Sequence, residues 1–196
     1  MEREQLERTA VHYPYLRGLL ALPLGFMLIM SGLGNMEWGP FRQEALFVGS
    51  VVLALGGYVL ITRYYEKNYG SVTPKRRATR VIVGNVATLL GLAGGPILID
   101  VLNLPFNGLA VSWALVALVY YSVAIGLRLH HVLIWGAVLV LGLLPIWGDP
   151  ATSDSVNVGL IVVGTAIMTT GLFDHRILVR MFESRETNSE MSNVRH

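Results

Sequence analysis

The sequence predicts an all-α integral membrane protein, a polytopic bundle of six transmembrane helices with both termini in the cytoplasm. Of its 196 residues, 53% are hydrophobic and only 14% are charged, and the charged residues lie between long apolar blocks. Soluble domains carry roughly 25% charged residues, and long apolar blocks separated by charged connections are typical of chains that span a bilayer. The chain contains no cysteine, which excludes disulfides and thiolate metal sites.

Six segments come close to the roughly 20 apolar residues that a spanning helix needs. They run over residues 16–33, 45–62, 81–102, 108–127, 132–147 and 156–173. Turn-forming Gly, Pro and Asn residues separate them. Residues 1–186 are expected to form one domain that ends in a short amphipathic extension, and residues 187–196 are expected to form a disordered tail.

The basic residues give the bundle an orientation. All of the 15 Lys and Arg residues except Arg42 fall on one side of a six-helix arrangement. Because cytoplasmic loops of membrane proteins are enriched in Lys and Arg, this side is predicted to face the cytoplasm. We therefore expect a multi-pass protein of the bacterial inner membrane.

The predicted membrane interior lacks charge. No Asp, Glu, Lys or Arg lies in the middle of a predicted helix, and Asp174 is expected just beyond the end of the sixth. Ion-coupled transporters usually place an ionisable residue within the membrane. The chain also has no H-E-x-x-H pattern and no P-loop. We therefore expect no enzyme, no catalytic residue and no cofactor.

Uncharged polar residues inside the predicted helices are few. Their hydroxyls are expected to bond to their own helix backbone, and Asn85 to a neighbouring helix. The alternative is that they line a binding site for lipid or a small hydrophobic ligand. The tentative ligand-binding residues are Asn85, Thr88, Ser112, Thr165 and Thr169, with Thr170 as a further buried hydroxyl.

Small residues recur at close spacing in the third segment. Ala87, Gly91 and Gly95 are four residues apart, which gives a smooth face for another helix. This face serves either packing inside the bundle or a homo-oligomer. Gly94-Gly95-Pro96 is expected to kink the third helix, and Pro23 the first.

Histidines gather near the predicted cytoplasmic boundary, beside Asp174. Imidazoles and a carboxylate at one depth are zinc ligands, but their spacing is not diagnostic, and histidines that face lipid headgroups are commoner. We therefore predict no metal site. The low-ranking candidates are His130, His131, Asp174 and His175, with His12 at the same depth.

The predicted cytoplasmic surface carries two basic groups of residues. Lys75, Arg76 and Arg77 lie in the loop after the second helix, and Arg176 and Arg180 follow the sixth. Contact with anionic lipid explains such residues, at roughly 1 kcal/mol for each basic group. The sharper interpretation is that they dock a cytosolic regulator or an exporter subunit. Direct binding of nucleic acid is not expected, because the patch is short and close to an anionic membrane.

Two stretches carry a resemblance. The Arg-Tyr-Tyr…Tyr-Gly-x-Val loop at residues 63–72 and the Gly-Leu-Phe-Asp-His-Arg-x-Leu-Val-Arg stretch at residues 171–180 resemble segments of small, uncharacterised polytopic membrane proteins of bacteria. Such proteins often accompany winged-helix regulators or exporter components. The resemblance implies no catalytic residue and favours partner binding.

The leading hypothesis is therefore a non-enzymatic sensory, accessory or regulatory membrane subunit that binds lipid or a small hydrophobic ligand and docks a partner through its basic loop. The alternative is a small oligomeric transporter or channel component for an apolar or neutral solute. A membrane enzyme that uses the boundary histidines ranks third.

Overall fold

The computed structural model describes residues 16–37, 39–69, 89, 93–95, 97, 101–102, 105–124, 126–144 and 153–193, and every regular element among them is helical. A 3-10 turn, Gly18–Leu20, leads into α1 (Ala21–Asn35), and a second one, Gly39–Arg42, precedes α2 (Glu44–Tyr69). The chain continues through α3 (Gly108–Ala124), α4 (Leu129–Leu143) and α5 (Ser153–Asn193). The all-α prediction is confirmed.

Three of these helical segments are long and apolar enough to cross a membrane. They are Gly18–Asn35, Glu44–Tyr69 and Asp154–Phe182, and the apolar helices Gly108–Val123 and Leu129–Leu143 are shorter. At 1.5 Å per residue, the 26 residues of α2 extend about 39 Å, whereas the 15 of α4 extend about 22 Å. The hydrocarbon core is about 30 Å thick. The structure therefore supports a membrane protein, and the sixfold crossing stays a prediction.

A seam of glycines joins α1 to α5. A Cβ built on Gly25 would lie 2.5 Å from the Gly164 carbonyl oxygen, and one on Gly32 would lie 2.6 Å from the Asn157 carbonyl oxygen. A Cβ on Gly18 would overlap the carbonyl oxygen of Gly171. Contacts at Gly18, Gly25 and Gly32 therefore follow one another seven residues apart, in the reverse order on α5. The two helices are antiparallel, and their backbones touch without side chains between them.

The other described helices pack around this pair and complete a helical bundle. Its main core cluster contains Trp135 and Val138 of α4, Val163 and Ile167 of α5, and small residues of α3 such as Ala114. A second cluster joins Leu16, Tyr65 and Leu178. We call the end of the bundle that contains this second cluster the Asp174 end, and the opposite end the Asn107 end.

The described charges differ between the two ends. The Asp174 end holds Arg17, Arg63, Lys67, Arg128, Arg176 and Arg180. The Asn107 end holds the acidic residues Glu37, Glu44 and Asp154, with Arg42 in the 3-10 turn before α2. The described members of the predicted basic side therefore lie at one end of the bundle, together with Glu66 and Asp174.

Several helix boundaries differ from those predicted. The fifth predicted segment, 132–147, corresponds to Leu129–Leu143. The sixth, 156–173, lies in the first half of a continuous helix that runs from Ser153 to Asn193. Residues 183–193 contain no Gly or Pro, so no residue there ends the helix. Asp174 consequently lies inside this helix.

Of the residues expected to kink helices, the structure describes Pro23, Gly94 and Gly95. Pro23 lies in the first turn of α1, where its missing N–H breaks no backbone hydrogen bond. Most of the third predicted segment lies outside the described residues. Gly95 is described and packs against Ser112 of α3, since a Cβ on it would lie 2.7 Å from the Ser112 Cβ. Ala87 and Gly91, the other members of the proposed oligomer face, lie outside the described residues.

Candidate functional site: a buried His–His–Asp cluster

Three ionisable side chains meet at the Asp174 end. The Nε2 atoms of His130 and His131 lie 3.1 Å and 3.0 Å from the same oxygen, Oδ1 of Asp174. Asp174 is 2% exposed and His131 is fully buried, whereas the His130 side chain keeps 16% of its exposure. A carboxylate this buried needs partners of opposite charge or strong hydrogen bonds, and the two imidazoles supply them. We call these three residues the His–Asp cluster.

The start of α4 positions both imidazoles. His130 and His131 occupy its first turn, after Arg128 in extended conformation and Leu129 as the first helical residue. The backbone N–H of Arg128 donates to Nδ1 of His131 at 3.4 Å, so this side chain caps its own helix. Since Nδ1 accepts a hydrogen bond, the ring proton of His131 resides on Nε2, which donates to Asp174.

Aromatic rings hold the cluster from the sides. The ring of Tyr121 in α3 stacks on His131 with centroids 3.9 Å apart and planes 19° apart. Phe173 of α5 stacks on His130 at 5.6 Å and 29°. Both imidazole planes are therefore set by neighbouring helices, which orients both Nε2 atoms toward Asp174.

The 3-10 turn Gly18–Leu20, which leads into α1, covers the carboxylate. A Cβ on Gly18 would lie 3.0 Å from the Cβ of Asp174 as well as overlapping the backbone of Gly171. Any larger residue at position 18 would push α1 away from the cluster. Helices α1, α3, α4 and α5 thus all contribute to the surroundings of one carboxylate.

His175 faces a different set of partners. Its Nδ1 lies 3.0 Å from the Tyr65 hydroxyl, which also accepts a hydrogen bond from the Leu19 N–H at 3.1 Å. The guanidinium of Arg17 lies 5.1 Å from the centre of the Tyr65 ring, within cation–π range. The structure therefore brings together three of the four candidates His130, His131, Asp174 and His175, and directs the fourth toward α2.

Two buried polar atoms lie one turn deeper in the bundle. Trp135 follows His131 by four residues on α4, and Thr170 precedes Asp174 by four on α5, so each shares a helix face with its cluster residue. Trp135 is 2% exposed and Thr170 is fully buried. Neither the indole Nε1 nor the threonine Oγ1 has a hydrogen-bond partner among the described residues. Such groups call for a partner in a native protein.

The predicted ligand-binding residues do not form one group in the described structure. Thr165 donates its hydroxyl to the Ile161 carbonyl at 2.8 Å, and Thr169 donates to the Thr165 carbonyl at 2.8 Å. Ser112 is buried against Gly95. Asn85 and Thr88 lie outside the described residues, as do Lys75, Arg76, Arg77 and His12. Arg176 and Arg180 are exposed on α5 beyond the cluster.

Sequence reasoning missed the rings and glycines around the cluster. Tyr65 packs on His175 and Tyr121 stacks on His131. Gly18 and Gly171 belong to a seven-residue repeat of glycines that is readable in the sequence as Gly18, Gly25 and Gly32, followed by Gly164 and Gly171. The pairing of His131 with Asp174 has no such sequence signal, because it depends on which helices are neighbours.

No protein-family model, no curated protein and no solved structure matches this chain. Fold and site together define a helical membrane protein with an ionisable centre buried at its basic end. What this centre does must be inferred from its own geometry.

Proposed function

We propose that the chain is a non-enzymatic sensory or regulatory subunit of the bacterial inner membrane. In this proposal the Asp174 end faces the cytoplasm, both termini lie there, and the His–Asp cluster is the sensing element. The basic loop that contains Lys75, Arg76 and Arg77 and the basic face of α5 dock a cytosolic or membrane partner. A small hydrophobic ligand or lipid acts through the bundle.

The orientation has two supports. Most of the described Lys and Arg residues lie at the Asp174 end, as expected of a cytoplasmic side. The antiparallel seam between α1 and α5 brings Leu16 and Arg17 to the same end of the bundle as the residues that follow Asp174. Both observations are consistent with an even number of membrane crossings in the chain between α1 and α5.

One observation carries the sensory role. The helix that holds Asp174 in the buried cluster is the same uninterrupted helix that presents Arg176 and Arg180 to solvent and continues to Asn193. A helix transmits a shift at one turn to the next as a rigid element. A change in the partners of Asp174 would therefore move the exposed basic face of α5.

The closed surroundings of the cluster favour sensing over catalysis. His131 is fully buried, Asp174 is 2% exposed, and Gly18 and Tyr121 pack against them. These contacts would block a substrate from the carboxylate, whereas a proton or a single ion is small enough to pass them. A sensing element needs only two packing arrangements that a ligand stabilises differently.

The docking role can be tested by cross-linking in native membranes. Because the chain has no cysteine, Arg180→Cys creates one attachment point for a photoactivatable cross-linker. We expect a discrete adduct of higher mass that weakens when Lys75, Arg76 and Arg77 are changed to Ala. Asp174→Asn in the same background should change the adduct yield, since the cluster is proposed to control the position of α5.

A matched control comes from the opposite end. Glu44→Cys places the cross-linker at an exposed position at the Asn107 end, where no partner is expected. The proposal is wrong if Arg180→Cys gives no adduct in native membranes, or if its adduct is the same in all cluster and loop variants.

A further inference from the structure

We propose that His130, His131 and Asp174 bind one divalent transition-metal ion of the zinc class. This inference rests on the proposed function in one respect: it names the ion as the ligand that the sensing element detects. The site would take the ion from the Asp174 end and hold it with three protein ligands and one exchangeable ligand.

The donor set suits such an ion. Two imidazole nitrogens and a carboxylate oxygen are common zinc ligands, with metal–ligand distances of about 2.0–2.2 Å. In a tetrahedral site those distances put neighbouring ligand atoms about 3.3 Å apart. The two Nε2 atoms lie 3.0 Å and 3.1 Å from Asp174 Oδ1, and the three ligand atoms all lie within 4.8 Å of one another. To reach a tetrahedral arrangement, the two nitrogen–oxygen distances would lengthen by only a few tenths of an ångström.

Burial and access both fit an exchangeable ion. His131 and Asp174 are buried, so the ligands are held in place, while the His130 side chain keeps 16% of its exposure and gives a route from the basic end. Three protein ligands leave a fourth position open, as in sites where the ion meets water or exchanges.

The unpartnered atoms of Trp135 and Thr170 are a second, independent observation. Both lie one turn deeper on the faces that carry His131 and Asp174, and both are buried without a partner among the described residues. The indole N–H is a donor, and the hydroxyl both donates and accepts. In this proposal, a water or hydroxide in the fourth position of the ion is the partner of these two groups.

Metal binding competes with the cap of α4. In the arrangement described above, the proton of His131 is on Nε2 and its Nδ1 accepts from the Arg128 N–H. Coordination through Nε2 requires the lone pair there, so the proton moves to Nδ1 and the 3.4 Å hydrogen bond from Arg128 is lost. Binding would thus release the first turn of α4 and strengthen its link to α5. The ion and the cap are alternatives, which is what a sensing element requires.

The binding test uses the full chain in detergent or nanodiscs, purified through a tag without histidines. Co²⁺ is the spectroscopic probe, because a tetrahedral nitrogen and oxygen site gives visible absorption bands, and Zn²⁺ is then titrated by calorimetry. We expect one ion per chain by elemental analysis, and a thermal unfolding midpoint that rises with free Zn²⁺ by mass action.

Variants assign the ligands. Asp174→Asn keeps the shape and the acceptor oxygen but lacks the charge, and His130→Gln alters a half-buried ligand with little effect on the fold. Each should weaken Zn²⁺ binding by more than the roughly 10- to 100-fold that loss of a hydrogen bond to a metal ligand costs. Trp135→Phe removes only the indole N–H, so we expect a loss of about 10-fold.

His175→Gln is the matched control, because His175 adjoins Asp174 in the sequence but bonds to Tyr65. It should bind Zn²⁺ as the wild type does. Absence of a stoichiometric ion, or binding that Asp174→Asn and His130→Gln leave unchanged while His175→Gln reduces it, would overturn the proposal. Such a result leaves the cross-linking outcome at Arg180 unaffected, so the two proposals fail separately.

Discussion

Buried polar groups connect the helices at both ends of the bundle, but the two ends use different chemical groups. At the Asn107 end the buried polar groups of the described residues are neutral. Asn107 is 2% exposed, and its side chain accepts from the Ala110 N–H at 2.9 Å and donates to the Ser155 carbonyl at 2.7 Å. Its backbone N–H donates to the Gly142 carbonyl at 2.9 Å. One residue therefore caps α3 and ties it to the end of α4 and the start of α5.

At the Asp174 end the corresponding contacts involve ionisable groups. A carboxylate and two imidazoles connect the start of α4 to the middle of α5, and a tyrosine hydroxyl connects α1, α2 and His175. Amides can connect helices without burying a charge, and burying a charge costs free energy. Ionisable groups therefore cost more free energy than amides when they connect helices. Their use at the Asp174 end supports a functional role for that end.

The largest expected effect is at the Asn107 end. Asn107→Ala removes the cap of α3 and the side-chain hydrogen bond to the buried end of α5 at Ser155, so we expect the free energy of unfolding to fall by about 3 kcal/mol. Thermal unfolding in detergent measures the change. Asn68→Ala is the control, because Asn68 is exposed and donates only to its own helix at Tyr64. Its effect should stay within about 0.5 kcal/mol. Equal effects of the two substitutions would remove the structural role assigned to Asn107.

The glycine seam that spans both ends gives the next largest effect. A Cβ at Gly164 would lie 2.5 Å from the Gly25 carbonyl oxygen and 3.1 Å from the Leu28 Cβ. Gly164→Ala therefore separates two backbones, and we expect a loss of about 2 kcal/mol in the same unfolding measurement. Gly56→Ala, where a Cβ meets no atom within 4 Å, should instead stabilise α2 by up to about 1 kcal/mol. A destabilised Gly56→Ala variant would show that α2 is covered more closely than the described residues indicate.

A smaller effect is expected from the link between α1 and α2. Tyr65→Phe keeps the buried ring but removes the hydroxyl that Leu19 donates to and that contacts His175. We expect a loss of about 1 kcal/mol in the free energy of unfolding, the usual net value of one hydrogen bond. Tyr64→Phe, at an exposed neighbouring position, serves as the comparison. If the two variants unfold alike, the Tyr65 hydroxyl does not hold α1 to α2.

Much of this architecture was accessible from the sequence, but not the site itself. Apolar runs predicted the helices, and the charge asymmetry predicted a basic end. The seven-residue repeat of Gly18, Gly25 and Gly32 is a further pattern that marks close backbone contact. In contrast, the apolar run stops at Phe173, so the sequence places Asp174 at the end of the membrane segment and gives no sign that its carboxylate is buried. The lateral arrangement of α3, α4 and α5, which brings Tyr121, His131 and Asp174 together, leaves no periodic signal.

The smallest effect on stability is expected at Asp174, whose substitution is compared directly with that of Asn107 at the other end. Asp174→Asn retains an oxygen that accepts from His131 but removes a buried charge, and the relief in desolvation offsets the weaker hydrogen bonds. Without added metal, we expect the free energy of unfolding to change by less than about 1 kcal/mol, far less than for Asn107→Ala. A loss of about 3 kcal/mol would instead make the His–Asp cluster a structural ion pair, equivalent to the amide network at the other end. Thermal unfolding of both variants side by side, in a metal-free buffer, therefore decides whether the buried carboxylate is retained for stability or for what it binds.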